Sequence, residues 1–439
     1  MIDLSSYIRA VSETEPMKVY GRVIEITGII IKATGVKASI GESCRILSEH
    51  VELEAEVVGF RDGKVLLMAV GDLSDIKAGS RVLPMGKKVS VRVSPALIGR
   101  VINDRGEPID GKGPLAGREY PLYSLTPHPL KRQRISQPID LGIRSINGLL
   151  TCGKGQRIGI MAGSGVGKSV LLGMMARYTA ASVNVIAMIG ERGREVREFI
   201  EKDLGEEGIK KSVIVVSTSD QPPLAKVRGA LAATAIAEYF RDQGSDVLLL
   251  MDSLTRVAMA QREIGLATGE PPTSKGYTPS VFALLPKLLE RVGTSDGSGS
   301  ITGLYTVLVE GDDLSDPVAD SARAILDGHI VLSRELAMES HYPAIDVLQS
   351  ISRLMPDIVD AKHKELASRF VETMATYKKV EDMINLGAYK EGSNPKVDQA
   401  IKIYDKLRTY LKQGMNERRD FADCLQGLYF LFENAGSKP

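Results

Sequence analysis

One run of eight residues, Ala162-Gly163-Ser164-Gly165-Val166-Gly167-Lys168-Ser169, limits the possible folds more than any other stretch of this chain. It follows a short apolar β-type run, residues 157–161, and precedes a helical segment, residues 169–180. A glycine-rich turn between a strand and a helix is a cradle for phosphate. Its glycines permit positive φ and close backbone approach. The backbone N–H groups and the positive end of the helix then face the anion. In that arrangement Lys168 reaches β- and γ-phosphates and the Ser169 hydroxyl ligates Mg²⁺. Ala162 stands where the pattern has its first glycine, a place that needs only backbone. The turn requires a strand and a helix in alternation, and residues 183–189, 213–217 and 246–251 supply further β-rich runs without polar alternation. Such runs suit a parallel sheet buried on both faces, with helical segments such as 224–243 between them.

The flanking sequence has other periods. Val51, Leu53, Ala55 and Val57 alternate with Glu52, Glu54 and Glu56, and glycines punctuate the short runs around them. This pattern predicts a small barrel or sandwich. Leu4, Tyr7, Ile8 and Val11 recur at helical spacing before Pro16. A lone helix that short is marginal in water, so it packs on its own domain or docks on a partner. After Pro356 the pattern is helical, with Leu366, Phe370, Met374 and Tyr377 on one face. The expected organisation is an amphipathic helix over 1–17, a barrel over 18–93, a phosphate-loop domain over 94–355 and a helical domain over 356–439.

Composition excludes several classes. The chain is 43% hydrophobic and 25% charged, with a formal net charge of +1. That is neither a disordered chain nor one with a broad electrostatic grip on nucleic acid. Cys44, Cys152 and Cys424 lack zinc or redox spacing, and the five histidines are scattered. No leader pattern and no apolar stretch of the ~20 residues a span needs is present. A cytoplasmic protein with only peripheral membrane contact is expected.

Catalytic candidates lie at strand ends. The run 246–251 delivers Asp252 at its carboxyl end, where ligands bind in open α/β sheets. Asp252 is expected in the Mg²⁺ outer shell, and capping of the next helix is compatible with that role. The strand before Gly190 delivers Glu191, a carboxylate suited to polarising an attacking water. Arg192 and Arg256 are placed to offset phosphate charge.

Further motifs carry a family likeness. Gly190-Glu191-Arg192-Gly193-Arg194-Glu195, Asp252-Ser253-Leu254-Thr255-Arg256, residues 258–264, Gly269-Glu270-Pro271-Pro272 and Gly311-Asp312-Asp313 resemble the catalytic subunits of rotary ATPases. Within them the chain most resembles the type III protein-export ATPases, the flagellar branch in particular. Thr278 stands where that family has a second proline. The resemblance implies an α/β P-loop (RecA-like) core with an N-terminal small β-barrel and a C-terminal α-helical domain. It implies Mg-dependent hydrolysis of ATP by a homohexamer. Glu191 then matches the catalytic carboxylate, and Arg192 and Arg256 the γ-phosphate arginines. Tyr342 matches the aromatic on adenine, and Arg353 an arginine finger presented to the neighbouring subunit. The implied partners are a stator-like regulator at the N-terminal helix, and a central-stalk protein and the export gate at the C-terminal side. Export substrates and chaperones are implied as well. The acidic loop 312–316 lines the ring's hole or is a solvated turn. An injectisome export ATPase, a rotary synthase subunit and a hexameric nucleic-acid translocase are the rival readings. The last lacks the basic, aromatic-rich surface it needs.

Overall fold

The structure is a computed structural model. It describes residues 19–48, 51–309, 313 and 315–433, with Leu4 and Tyr7. Apart from those two residues, the helix expected over 1–17 lies outside the described residues, as do Asp312 and Leu314 of the acidic loop.

The chain forms two compact units. The first, up to Val89 with Glu263–Pro271, contains six strands: β1 (Gly21–Thr27), β2 (Ile30–Thr34), β3 (Glu42–Leu47), β4 (Glu52–Arg61), β5 (Lys64–Ala69) and β6 (Arg81–Lys88). They close into an antiparallel barrel in the order β1-β2-β5-β4-β3-β6. The alternation in β4 turns Leu53, Ala55 and Val57 inward, where they meet Ile31, Cys44, Ile46, Leu67 and Val82. Closure removes the exposed strand edges that an open sheet would present.

The second unit holds Ser90–Arg262 and Pro272–Pro439. In it β7 (Ser90–Val93) pairs with β9 (Arg118–Pro121) in a small antiparallel ribbon. The main sheet has eight strands: β8 (Val101–Asn103), β10 (Arg157–Ala162), β11 (Val183–Ile189), β12 (Ser212–Ser217), β13 (Asp246–Asp252), β14 (Ser300–Leu308), β15 (Gly328–Leu332) and β16 (Ile345–Ser352). Their order is β16-β15-β10-β14-β13-β11-β12-β8, parallel except for β16. Every residue of β11 and β12 is buried, which is what uninterrupted apolar runs require. The helix Pro223–Asp242 supplies six alanines against this sheet, so two backbones approach without large side chains between them.

The C-terminal helices Ala361–Asn385, Pro395–Leu411 and Phe421–Glu433 pack on one another and share the core of this unit. The Tyr377 and Tyr404 rings stack with centroids 3.5 Å apart. Beyond the second helix, Gln413 accepts from the Arg144 N–H at 2.8 Å and donates to the Gly142 carbonyl at 2.8 Å. Its own backbone N–H donates to the Tyr342 carbonyl at 2.9 Å. The helical segment thereby holds the backbone of Tyr342, the aromatic that the family likeness places on adenine. The three cysteines are buried and free, and burial pushes each thiol up to about 12. They are inert packing groups.

Candidate active site

The glycine-rich run forms the turn from β10 into the helix Lys168–Tyr178. Ala162 is the last residue of β10, and its carbonyl accepts from the Val309 N–H at 3.1 Å. A methyl group there belongs to the sheet, so the missing first glycine costs the loop nothing. Gly165 and Gly167 take φ of 78° and 86°. Val166 between them is buried in the core, which anchors the loop while Ser164 and Gly165 stay exposed. Ser169, in the first turn of the helix, is exposed.

Parallel register brings the two carboxylates together. Met188 of β11 lies beside Asp252 of β13, so Glu191, three residues further on, emerges near it at the same sheet end. The Lys168 ammonium lies 2.5 Å from Asp252 Oδ1 and 3.6 Å from Glu191 Oε1. Asp252 also accepts from the Thr306 hydroxyl at 2.7 Å. The Asp252–Ser253 peptide is cis.

Burial pushes the Glu191 carboxyl up to about 7. The Lys168 charge opposes this shift and the Asp252 charge adds to it. Glu191 shares a hydrogen bond with Glu195, which holds Glu195 below its ordinary range. A carboxyl poised near neutrality in a cleft is a general-base candidate.

The remaining residues divide by position. Arg192 is exposed and pairs with Glu195 at 3.1 Å. Arg256 passes beside Gly190, where a Cβ would lie 2.9–3.2 Å from its Cβ, Cγ and Cδ. Gly190 also has φ +73°, so Gly190→Ala faces both a strained backbone and the Arg256 stem. A cost of about 1–2 kcal/mol is expected from the left-handed backbone alone. The arginine should be displaced as well, which a drop in melting temperature together with a raised KM for nucleotide would reveal.

Tyr342 lies against the loop, since a Cβ on Gly167 would be 3.4–3.5 Å from its ring carbons. It is half-exposed, and its hydroxyl donates to the Ala337 carbonyl at 3.3 Å. Arg353 is elsewhere. It follows β16, whose Ser352 pairs with Gly328 at the start of β15, while the loop lies at the opposite end of the adjacent β10. A strand of this length separates the two by about 15 Å or more. The Arg353 guanidinium donates to the Leu326 and Arg323 carbonyls at 3.2 and 3.4 Å. It therefore stands outside its own chain's pocket.

Known proteins share this three-part plan. Residues 142–352 match the nucleotide-binding domain of the ATP synthase alpha/beta family, 23–86 its beta-barrel domain, and 359–429 the T3SS EscN ATPase C-terminal domain. The flagellum-specific ATP synthase of Bacillus subtilis (strain 168) is 53% identical over 98% of this chain and 99% of its own length. The chain belongs to the ATP synthase alpha/beta family. Its relatives include solved structures of the assembled ATPase EscN from the enteropathogenic E. coli type III secretion system. One has a TM-score of 0.89 at 46% identity, covering 94% of this chain and 99% of that one. Another, EscN in complex with its central stalk EscO, has a TM-score of 0.86 at 46% identity over the same shares.

In this family member two site residues escaped the sequence reading. Glu195 lies in the quoted Gly190–Glu195 run, one helical turn beyond Glu191, and that spacing is the signal that marks it. Thr306 lies inside β14 and carries no local signal, because only sheet order places it beside Asp252.

Proposed function

We propose that this ATPase hydrolyses Mg-ATP at sites shared between adjacent copies of a homohexameric ring, and that hydrolysis energises protein export through the flagellar type III apparatus. One observation carries the chemistry: Glu191 and Asp252 both lie within 3.6 Å of the Lys168 ammonium at the mouth of a phosphate loop. The flagellar assignment is supported by the relative from Bacillus, and the likeness to EscN keeps an injectisome system as the second reading.

In this proposal Gly163, Ser164, Gly165, Val166 and Gly167 present their backbone N–H groups to the phosphates. Lys168 leaves Asp252 for the β- and γ-phosphates. Glu191 accepts a hydrogen bond from water and holds it in line with the γ-phosphorus. Arg192 and Arg256 of the same chain, and Arg353 of a neighbour, offset charge as the γ-phosphoryl group departs. Tyr342 packs on adenine, its position set by Gly167 below and Gln413 behind.

Among the described residues no group of three or more His, Cys, Asp or Glu is clustered for a metal. That fits Mg²⁺, which keeps waters and binds through phosphates with one or two protein oxygens. The Ser169 hydroxyl and the Asp252 carboxylate would hold it, since both Lys168 and Thr306 take the same Asp252 oxygen. The ion neutralises charge on the β- and γ-phosphates when bound.

Among the described residues no helix is long and apolar enough to cross a membrane. A cytoplasmic protein held peripherally at the flagellar base accords with this. The central-stalk partner is supported by the EscN–EscO complex. The regulator at residues 1–17, the export gate, and substrates with their chaperones complete the proposed partners, and no nucleic acid is among them. Lys168→Ala tests the site. It should weaken ATP binding at least tenfold and abolish hydrolysis, as read by nucleotide titration and phosphate release. Wild-type binding in that variant refutes the proposal. Specific activity should rise steeply with protein concentration as rings assemble, and a flat profile from a monomer counts against shared sites.

A further inference from the structure

A cavity of about 440 Å³ adjoins the phosphate loop. Its wall begins at Ala162, Gly163 and Ser164, while Lys168, Glu191 and Asp252 do not line it. Arg256 does, so the cavity starts where the γ-phosphate arginine stands. The same helix, Leu254–Thr268, carries Arg262 six residues further on, and Arg262 also lines the cavity. A rise of 1.5 Å per residue sets these two about 9 Å apart along the axis. Lys275 and Arg334 complete the lining cations.

Arg262 and Arg334 hold no carboxylate among the described residues, whereas Lys275 shares two. Arg262 lies over the Tyr277 ring at 5.5 Å, and its buried Nε has no hydrogen-bond partner among the described residues. Such an orphaned charged donor is costly, and it shows that the surroundings leave the Arg262 guanidinium incompletely paired. Lys275 holds a left-handed backbone, φ 49°, a conformation that costs a non-glycine residue free energy and is found at functional sites. Two carboxylates share the cavity, Asp313 and Asp316, at 3.5 and 3.9 Å from the Lys275 ammonium. Each has other work: Asp313 accepts from Ser315, and Asp316 caps the helix Pro317–Ile325. Four cations against two carboxylates leave the described lining net positive.

We propose that this cavity is a second anion station, in which Arg262, Lys275 and Arg334 receive inorganic phosphate from Arg256 after hydrolysis. The inference rests on the ATPase reading. Product phosphate leaves the loop as a hydrated dianion, and Arg262, about 9 Å further along the helix axis than Arg256, gives it a stop that does not pass back over the nucleotide. No covalent step is involved.

Equilibrium dialysis with labelled inorganic phosphate tests it on the full-length assembled protein, saturated with a non-hydrolysable Mg-ATP analogue. The analogue fills the γ-phosphate position, so phosphate bound beside it occupies another site. The wild type should bind about one phosphate per subunit. Arg334→Ala and Lys275→Ala, both at exposed positions, should each weaken that binding about tenfold, the loss of one charge-assisted contact. Arg334→Lys should restore part of it. Absence of phosphate binding beside the analogue, or binding unmoved by both alanine variants, overturns the station and leaves the ATPase reading standing. Failure of the analogue itself to bind overturns both.

Discussion

Glu191→Gln should bind ATP within a few-fold of the wild type and lose turnover by a factor on the order of 10²–10⁴, the usual worth of a positioned base. The amide keeps the volume and one acceptor oxygen of the carboxyl, so the loop, Lys168 and the nucleotide contacts persist. It removes the charge that, in the proposed mechanism, aligns and polarises water. Nucleotide titration against a phosphate-release assay separates the two effects, and near-wild-type turnover would remove Glu191 from its role.

The same variant should be more heat-stable than the wild type at pH 8. Burial holds the Glu191 carboxyl near 7 in the fold against an ordinary 4.5. Above pH 7 the carboxyl is ionised in both folded and unfolded chains, and the fold carries the cost of a buried charge. As pH falls through 7 towards 4.5 the folded chain takes up the proton first and the cost disappears. Glutamine never carries it. The stabilisation at pH 8 is expected on the order of 1–3 kcal/mol, shrinking towards zero near pH 4. Thermal melts of both proteins at the two pH values measure it. A site that destabilises its own fold is the signature of a group kept for chemistry rather than for packing.

Much of this site was legible in the sequence because strands deliver it. The apolar runs before Ala162, Glu191 and Asp252 are uninterrupted, hence parallel and buried, and a parallel sheet places all its carboxyl ends together. The barrel was legible for the opposite reason: Val51 to Val57 alternate, which only a half-buried strand requires. Residues whose partners lie far along the chain were less legible. Thr306 reaches Asp252 because β14 sits beside β13, an order no local pattern encodes. The antiparallel β16 was equally hidden. Its Gln349-Ser350-Ile351-Ser352 segment is too polar to read as a sheet strand, yet it determines that Arg353 leaves its own pocket. The cavity beside the loop gathers side chains from five separate segments, so spacing could not announce it.

Arg353→Ala should leave ATP binding nearly intact and slow hydrolysis by about 10³–10⁵, the worth of an arginine finger in GTPases. Part of the effect is structural, because the guanidinium bonds the Arg323 and Leu326 carbonyls at the C-terminal end of the helix Pro317–Ile325. Losing those bonds should cost about 1–2 kcal/mol, which a melt detects separately. Mixing decides between the two roles. An Arg353→Ala subunit keeps its own loop and Glu191, while a Glu191→Gln subunit keeps Arg353. If Arg353 serves a neighbour's pocket, a site is complete wherever the first kind receives its finger from the second. Random equal mixing makes about one site in four of this type in a closed ring. Two nearly inactive proteins, dissociated and reassembled together, should then regain up to about a quarter of wild-type turnover if sites act independently. If Arg353 acted within its own chain, each subunit would lack one essential group and the mixture would stay as inactive as its parts.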